Sequence, residues 1–488
     1  MKILYAASEV VPFAKTGGLA DVAGALPKAL ADLGHEIKVF LPRYKKVDIN
    51  KFKLKIVMPN LEIQLGEALV MVNILEGKIP GSNVAVYFID NDYYFGSRDE
   101  LYVVEGKDYP DNPERFALYC KATLAFIEKT GWKPNLVHAN DWQAALLIAY
   151  IKVLNFTNPF YENTATVYSI HNLGYLGLFP KEKMPVTGLG WDQFTPEKLE
   201  FWDQLALTKA GFVYADVINT VSETYAKEIQ TPEFGHGLDG LLRSRRHEIF
   251  GIVNGVDYDL WDPATDPKIV AHYSVKNLVP KGINKETLQK EQGLSVNKNI
   301  PLIGMTTRLA DQKGLDILSG MLEDLLHMQA QLVVLGCGEP KYHQLLTELQ
   351  KKYPEHLALN LGFDAALAQM IYAASDMFLM PSLYEPCGLG QLISFKYGTI
   401  PIVRKTGGLA DTVQNFNPRT GAGNGFVFEE YSSAALQTAV ESALDIYRKK
   451  TIWKKLQEKV MRYDYSWNVS AKKYVALYLQ ALQKRIKV

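Results

Sequence analysis

The chain has 488 residues, 53 basic and 53 acidic side chains, and no formal net charge. That length exceeds one ordinary core and calls for two or three domains. A content of 48% hydrophobic and 22% charged residues is the profile of a water-soluble globular protein, and the balanced charge leaves no basic excess for nucleic acid.

In chain order the pattern is strand, loop, helix, repeated. Residues 2–7 read as a buried strand, 18–33 as a helix containing Pro27, and 36–41 as the next strand. Three β-rich runs follow at 53–58, 68–74 and 84–89 with no helix between them, which predicts an antiparallel excursion. Alternation then resumes: strand 135–138, helix 142–153, strand 164–170, helix 196–215, strand 217–221. Continuous apolar strands alternating with helices predict a parallel sheet covered on both faces. A second run of the same kind has strands at 301–306, 331–335, 357–361, 376–380 and 399–403, each followed by a helical pattern. Residues 254–299, rich in Asp, Pro, Gly and Lys, read as the connection and the entry to the second domain. Residues 469–486 read as a terminal helix with no sheet of its own. The expected division is 1–253, 254–465 and a C-terminal segment, 466–488, that packs back on the first domain.

Three cysteines, Cys120, Cys337 and Cys387, are odd in number and far apart, which fits a reducing compartment. No CxxC pair or HExxH run marks a metal site, so none is expected. No stretch reaches the ~18 apolar residues of a membrane span. The chain opens on a strand rather than a leader, and a cytoplasmic enzyme is the expectation.

One heptapeptide occurs twice: Lys15-Thr16-Gly17-Gly18-Leu19-Ala20-Asp21 recurs as Lys405 to Asp411. Both copies stand between a strand and a helix, at the sheet edge where open α/β folds bind ligands. Paired glycines let backbone amides approach a ligand, and Lys15 adds a charge suited to phosphate. A tight turn with a surface lysine is the plainer alternative. The spacing is neither a Walker A loop nor GxGxxG, because Gly336-Cys337-Gly338 lacks its third glycine, so a dinucleotide site is disfavoured.

Arg308 and Lys313 stand five apart in a loop after strand 301–306, with Gly314 opening a helix. Two such cations can hold a diphosphate, although solvated loop charges are the commoner case. Residues 381–390, Pro-Ser-Leu-Tyr-Glu-Pro-Cys-Gly-Leu-Gly, carry the strongest local signal. Glu385 can accept hydrogen bonds from hydroxyls, and the amides of Cys387, Gly388 and Leu389, at a helix start near Gly388, can donate them. That combination suits a sugar. Cys387 itself reads as a small packed residue. His138-Ala139-Asn140-Asp141-Trp142 and His171-Asn172 also end strands. A lone histidine is usually a satisfied structural residue, and His171 gains weight because it ends a strand as the other candidates do.

As a set and in this order, these motifs, with Asn254-Gly255-Val256-Asp257, resemble the bacterial glycogen synthases, the ADP-glucose-dependent branch shared with plant starch synthases. The resemblance runs from residue 1 into the last helix. It implies a retaining glycosyltransferase of the α/β GT-B fold: two facing Rossmann-like domains, a deep cleft between them, and the C-terminal helix crossing back. It implies ADP-glucose as donor, an α-1,4-glucan such as glycogen as acceptor, and no cofactor or catalytic metal. Carried over by position, Lys15, Gly17 and Gly18 meet the donor near its phosphates and glucose, and Arg308 and Lys313 hold the diphosphate. Glu385 with the amides of Cys387, Gly388 and Leu389 holds the glucose hydroxyls. His171 lies beside the anomeric carbon, Phe363 stacks on adenine, and Asp21 and Asp141 face sugar or acceptor.

Three positions depart from the pattern of related transferases. Ile393 stands where many pair the glutamate with a second one, as expected of this branch. Gly390 stands where the family has threonine, and Phe363 where the branch has tyrosine. Front-face attack assisted by the departing phosphate is the expected mechanism, with double displacement as the other route. A UDP-glucose-using enzyme of the same fold and a non-catalytic glucan-binding paralogue are the competing readings.

Overall fold

The computed structural model describes residues 1–104 and 106–486. The chain divides into two compact units. The first comprises Met1–Val221, Ala226–Gly255 and the segment from Trp467 onward; the second comprises Ser222–Tyr225 and Val256–Ser466.

The first unit is built on a nine-stranded sheet. Its order is Ile249–Gly251, Val217–Thr220, Ala165–Ile170, Leu136–Asn140, Lys2–Ala6, Glu36–Pro42, Ala85–Asp90, Ala68–Lys78, Lys55–Leu65. The first seven run parallel, and the last two form the expected antiparallel excursion. Ile3, Leu4, Tyr5 and Ala6 are all fully buried, as a strand with both faces covered must be. The strand order reverses between Lys2–Ala6 and Leu136–Asn140. That is a topological switch point, where the loops after two neighbouring strands turn to opposite faces and leave a crevice. The helix Gly18–Asp32 follows the first of these strands and Asp141–Ala149 the second.

The expected helix at 196–215 is largely wrong. Only Leu207–Tyr214 is helical, while Glu200–Phe201 and Gln204–Ala206 form a hairpin that also pairs with Leu178–Pro180. Trp202 and Asp203 make the turn, both in the left-handed region at φ 53° and 61°. The apolar spacing across 199–212 mimics a helix, and Trp-Asp is not a pair that announces such a turn. The helix expected at 142–153 ends at Ala149, and its continuation widens into a π turn over Tyr150–Leu154.

The helix Trp467–Ile486 packs on Gly18–Asp32 and Ala165–Ile170. Within it, Tyr478 hydroxyl meets His138 Nδ1 at 2.8 Å and Ser470 donates to the carbonyl of Val253 at 2.8 Å.

The second unit holds a six-stranded, fully parallel sheet: Leu357–Leu361, Gln331–Gly336, Leu302–Thr306, Met377–Met380, Ile400–Arg404, Phe426–Phe428. Its last strand, three residues long, was not anticipated. Here the order reverses between Leu302–Thr306 and Met377–Met380, so the loops at 307–314 and 381–389 flank the switch point. Residues 254–299 contain the helix Val279–Glu291 besides loops. Among the described residues no helix is long and apolar enough to cross a membrane.

Candidate active site

In the second unit the two switch-point loops are joined along their length. Lys313 Nζ donates to Glu385 Oε2 at 2.6 Å, and Ser382 Oγ donates to the same oxygen at 2.9 Å. Leu383 N–H donates to the Gln312 carbonyl at 2.9 Å, and Arg308 Nη2 donates to Gln312 Oε1 at 2.8 Å. Gly314, at φ 77°, closes this junction: a Cβ there would lie 2.1 Å from the Pro381 carbonyl oxygen. Arg308, Lys313 and Glu385 are thereby brought to one place. Arg308 is exposed, and the Lys313 and Glu385 side chains are 18% and 10% exposed.

The helix after this loop begins at Gly390, two residues later than expected, with Leu389 as its cap. Gly388 sits at φ 72°, and Cys387 is buried. Gly390 explains the missing threonine. A Cβ there would lie 2.8 Å from the Phe378 ring and 3.1 Å from Met380 sulfur, so the site has no room for a branched side chain. Ile393 is buried on the same helix. Phe363 is 83% exposed, just beyond strand Leu357–Leu361, with its ring free to stack.

The second copy of the heptapeptide supports this loop. A Cβ on Gly407 would lie 2.0 Å from the Glu385 carbonyl oxygen, and one on Gly408 2.1 Å from that of Cys387. Gly408 N–H donates to Glu385 O at 3.1 Å and Pro386 O at 3.2 Å. Asp411 accepts from Thr224 N–H and hydroxyl, the latter at 2.5 Å, and Ser222 Oγ donates to Pro386 O at 2.6 Å.

In the first unit the first copy is arranged differently. A Cβ on Gly17 or Gly18 would meet nothing within 4 Å. Lys15 Nζ is paired with Asp21 at 2.7 Å, both side chains partly exposed at 43% and 30%, so Asp21 is the counter-ion of Lys15. The Gly17 amide does not face outward as expected. It donates to Glu9 Oε2 at 3.0 Å, because Glu9, from the strand end, reaches the helix start. Glu9, three residues beyond the strand Lys2–Ala6, is a functional candidate that the sequence reading did not single out.

His138 turns into the core. It is fully buried, with Nε2 at 2.6 Å from Ser169 Oγ and Nδ1 on Tyr478. His171, partly buried, lies 2.9 Å from Asn140 Oδ1 through Nε2. Asn140 donates from Nδ2 to the Ala6 carbonyl at 3.0 Å, which fixes its Oδ1 as acceptor. His171 therefore carries its proton on Nε2, and Nδ1 is the lone-pair nitrogen. Asn140 stood in the motif without an assigned role, and its task is to orient this ring. Burial pushes both imidazoles down to about 3.

Asp141 begins its helix at φ 54°, a left-handed conformation that costs an aspartate about 1–2 kcal/mol. Its Oδ1 accepts the His171 N–H at 2.7 Å. Burial, with a smaller contribution from the Glu9 charge, pushes its carboxyl up to about 7 against the opposing amides of His171 and Asn172.

His138 should make the fold sensitive to acid. Its folded pKa lies below the ordinary 6.5, so between pH 6.5 and about 3 the unfolded chain binds a proton that the folded one does not. Stability is therefore lost as pH falls through that window, by about 3 kcal/mol at pH 4.5 for one such group. Urea unfolding at pH 7 and pH 4.5 should show a smaller loss for His138→Gln than for wild type; equal losses would assign the acid sensitivity elsewhere.

The starch synthase catalytic domain family matches residues 2–244, and the family of glycosyl transferases group 1 matches residues 284–460. Two doubly wound α/β units of this kind define a glycosyltransferase of the GT-B class. The chain is 48% identical to a glycogen synthase of Syntrophotalea carbinolica, with 99% of each chain covered. It is 46% identical to that of Thermotoga maritima, again over 99% of each. The solved catalytic domain of starch synthase IV from Arabidopsis thaliana, bound to ADP and acarbose, superposes with a TM-score of 0.91 at 33% identity, covering 99% of both chains. The chain belongs to the glycogen synthase family.

Proposed function

We propose that the protein transfers glucose from ADP-glucose, with retention at the anomeric carbon, to the non-reducing end of an α-1,4-glucan and releases ADP. The observation that carries this reading is the Arg308–Lys313–Glu385 assembly at the switch point of the second unit: two cations for a diphosphate beside a carboxylate for a sugar. Breaking the glucose–phosphate bond leaves positive character on the sugar and negative charge on ADP. On this reading Arg308, Lys313 and Lys15 stabilise the leaving group, and Glu385 faces the sugar. Phe363 offers a ring to adenine. In the first unit Asp141 and the oriented imidazole of His171 address the glucose and the acceptor hydroxyl. The departing phosphate then takes the acceptor proton in a front-face displacement. Three cysteines, odd in number and far apart in sequence, support a reducing, cytoplasmic setting.

Labelled-glucose transfer to glycogen tests the reading, with ADP-glucose and UDP-glucose in competition. ADP-glucose is expected to win; preference for UDP-glucose would overturn the base assignment at Phe363. Arg308→Ala is expected to weaken ADP by about tenfold or more, since it removes a charge-assisted contact to phosphate. Unchanged ADP affinity in that variant would remove Arg308 from the diphosphate site.

A further inference from the structure

One buried carboxylate of the first unit takes no part in the reaction described above. Glu9 lies three residues beyond the strand Lys2–Ala6 and is 4% exposed. Its Oε2 accepts the backbone N–H of Thr16 at 2.5 Å and of Gly17 at 3.0 Å. Its Oε1 accepts the Thr16 hydroxyl at 2.5 Å and the Tyr102 hydroxyl at 2.9 Å. An ionised carboxylate is an acceptor only, and its two oxygens have room for all four donors. The helix Gly18–Asp32 receives no side-chain cap from Gly17, which has no side chain. Glu9 does that work from a strand end and places a negative charge at the helix N-terminus. Three of its four bonds go to one dipeptide, Thr16-Gly17, in the middle of the first heptapeptide.

The direction of the loop follows. With the Thr16 and Gly17 amides turned inward, the Cα faces of Gly17 and Gly18 look into open space, and Lys15 projects outward to Asp21. In the second heptapeptide, identical in sequence, Gly408 N–H donates to the main-chain carbonyls of Glu385 and Pro386.

We propose that Glu9 is a positioning residue of the donor site. Its carboxylate fixes the Thr16-Gly17 backbone so that Lys15 and the open glycine face are set for the phosphates of the nucleotide sugar before it binds. This rests on the reading of Lys15 as a donor contact. A loop fixed beforehand spares the ligand the ordering of those residues, and the gain appears as donor affinity and rate.

Glu9→Gln keeps the shape and removes the charge: its oxygen still accepts from the Thr16 and Gly17 N–H groups and its NH2 donates to the Thr16 and Tyr102 hydroxyls, so the charge-assisted bonds that hold the dipeptide become weaker neutral ones. In the full chain the KM for ADP-glucose is expected to rise about tenfold. The KM for glycogen should stay within about twofold, and trypsin should cut after Lys15 faster. Tyr102→Phe, which removes only the fourth bond, should leave the donor KM near wild type. Because Glu9 acts through the loop, Glu9→Gln added to Lys15→Ala should cost much less than it does alone. A merely structural Glu9 predicts a lower Tm with normal donor KM and unchanged cleavage after Lys15, and that result overturns the proposal. So do fully additive costs in the double variant. Wild-type kinetics in Lys15→Ala would instead remove the reading of Lys15. A raised donor KM in Glu9→Gln would then assign the contact to the glycine face that Glu9 also holds, and an unchanged one would end the proposal.

Discussion

Glu385→Gln is expected to lower kcat by ~10²-fold or more while the affinity for ADP stays within about threefold. Glutamine retains an oxygen that can accept from Lys313 and Ser382, so the junction of the two loops survives. On the proposed reading, what disappears is a negative charge beside the sugar at the moment positive character develops there. ADP has no glucose, so its binding does not register that loss. Glu385→Ala should slow the reaction at least as much and also lower Tm. It leaves Lys313, 18% exposed, without its carboxylate partner, and one-sided removal of a largely buried ion pair is strongly destabilising. Lys313→Ala should do the reverse of Glu385→Gln and weaken ADP itself. If Glu385 served only to hold Lys313, Glu385→Gln would turn over at the normal rate per folded molecule. Measuring kcat, ADP affinity and Tm on the three variants separates these outcomes.

The same assembly shows what a linear reading can see. Arg308, Lys313 and Glu385 were legible because each lies in a loop that follows a strand of a βαβ pattern, and such loops gather at one sheet edge whatever the packing details. The switch points themselves needed the strand order, which no local pattern carries. Glu9 was not legible because its role depends on a backbone that returns to it eight residues later. The strand expected to end at His138 runs on to Asn140, so His138 sits mid-strand while His171 directly follows the neighbouring strand. The side chains packed around them, Ser169 and Tyr478 in one case and Asn140 in the other, separate a core histidine from a candidate for the site. The hairpin around Trp202 failed for a further reason: two left-handed residues that are neither Gly nor Asn leave no composition signal.

The repeated heptapeptide yields the sharpest contrast, because identical residues should respond in opposite ways. Gly408→Ala puts a Cβ 2.1 Å from the Cys387 carbonyl oxygen and 2.6 Å from its carbon and Cα. No rotamer relieves contact with backbone, so residues 385–387 must move. A loss of about 2–4 kcal/mol is expected, with kcat down more than about tenfold as Glu385 leaves its place. Gly17→Ala meets nothing within 4 Å and has φ −144°, which any residue adopts. The folded state tolerates it, and the unfolded chain loses freedom, so stability should be unchanged or higher by about 0.5 kcal/mol. Its effect should fall on the donor: the methyl fills space that the proposed phosphates or glucose approach, raising the KM for ADP-glucose without lowering Tm. Nothing inside the protein requires glycine at position 17, whereas a carbonyl oxygen requires it at 408. Thermal unfolding and donor kinetics on the two variants decide the matter. Wild-type kinetics in Gly17→Ala would mean that the open face of the first loop is not where the donor sits.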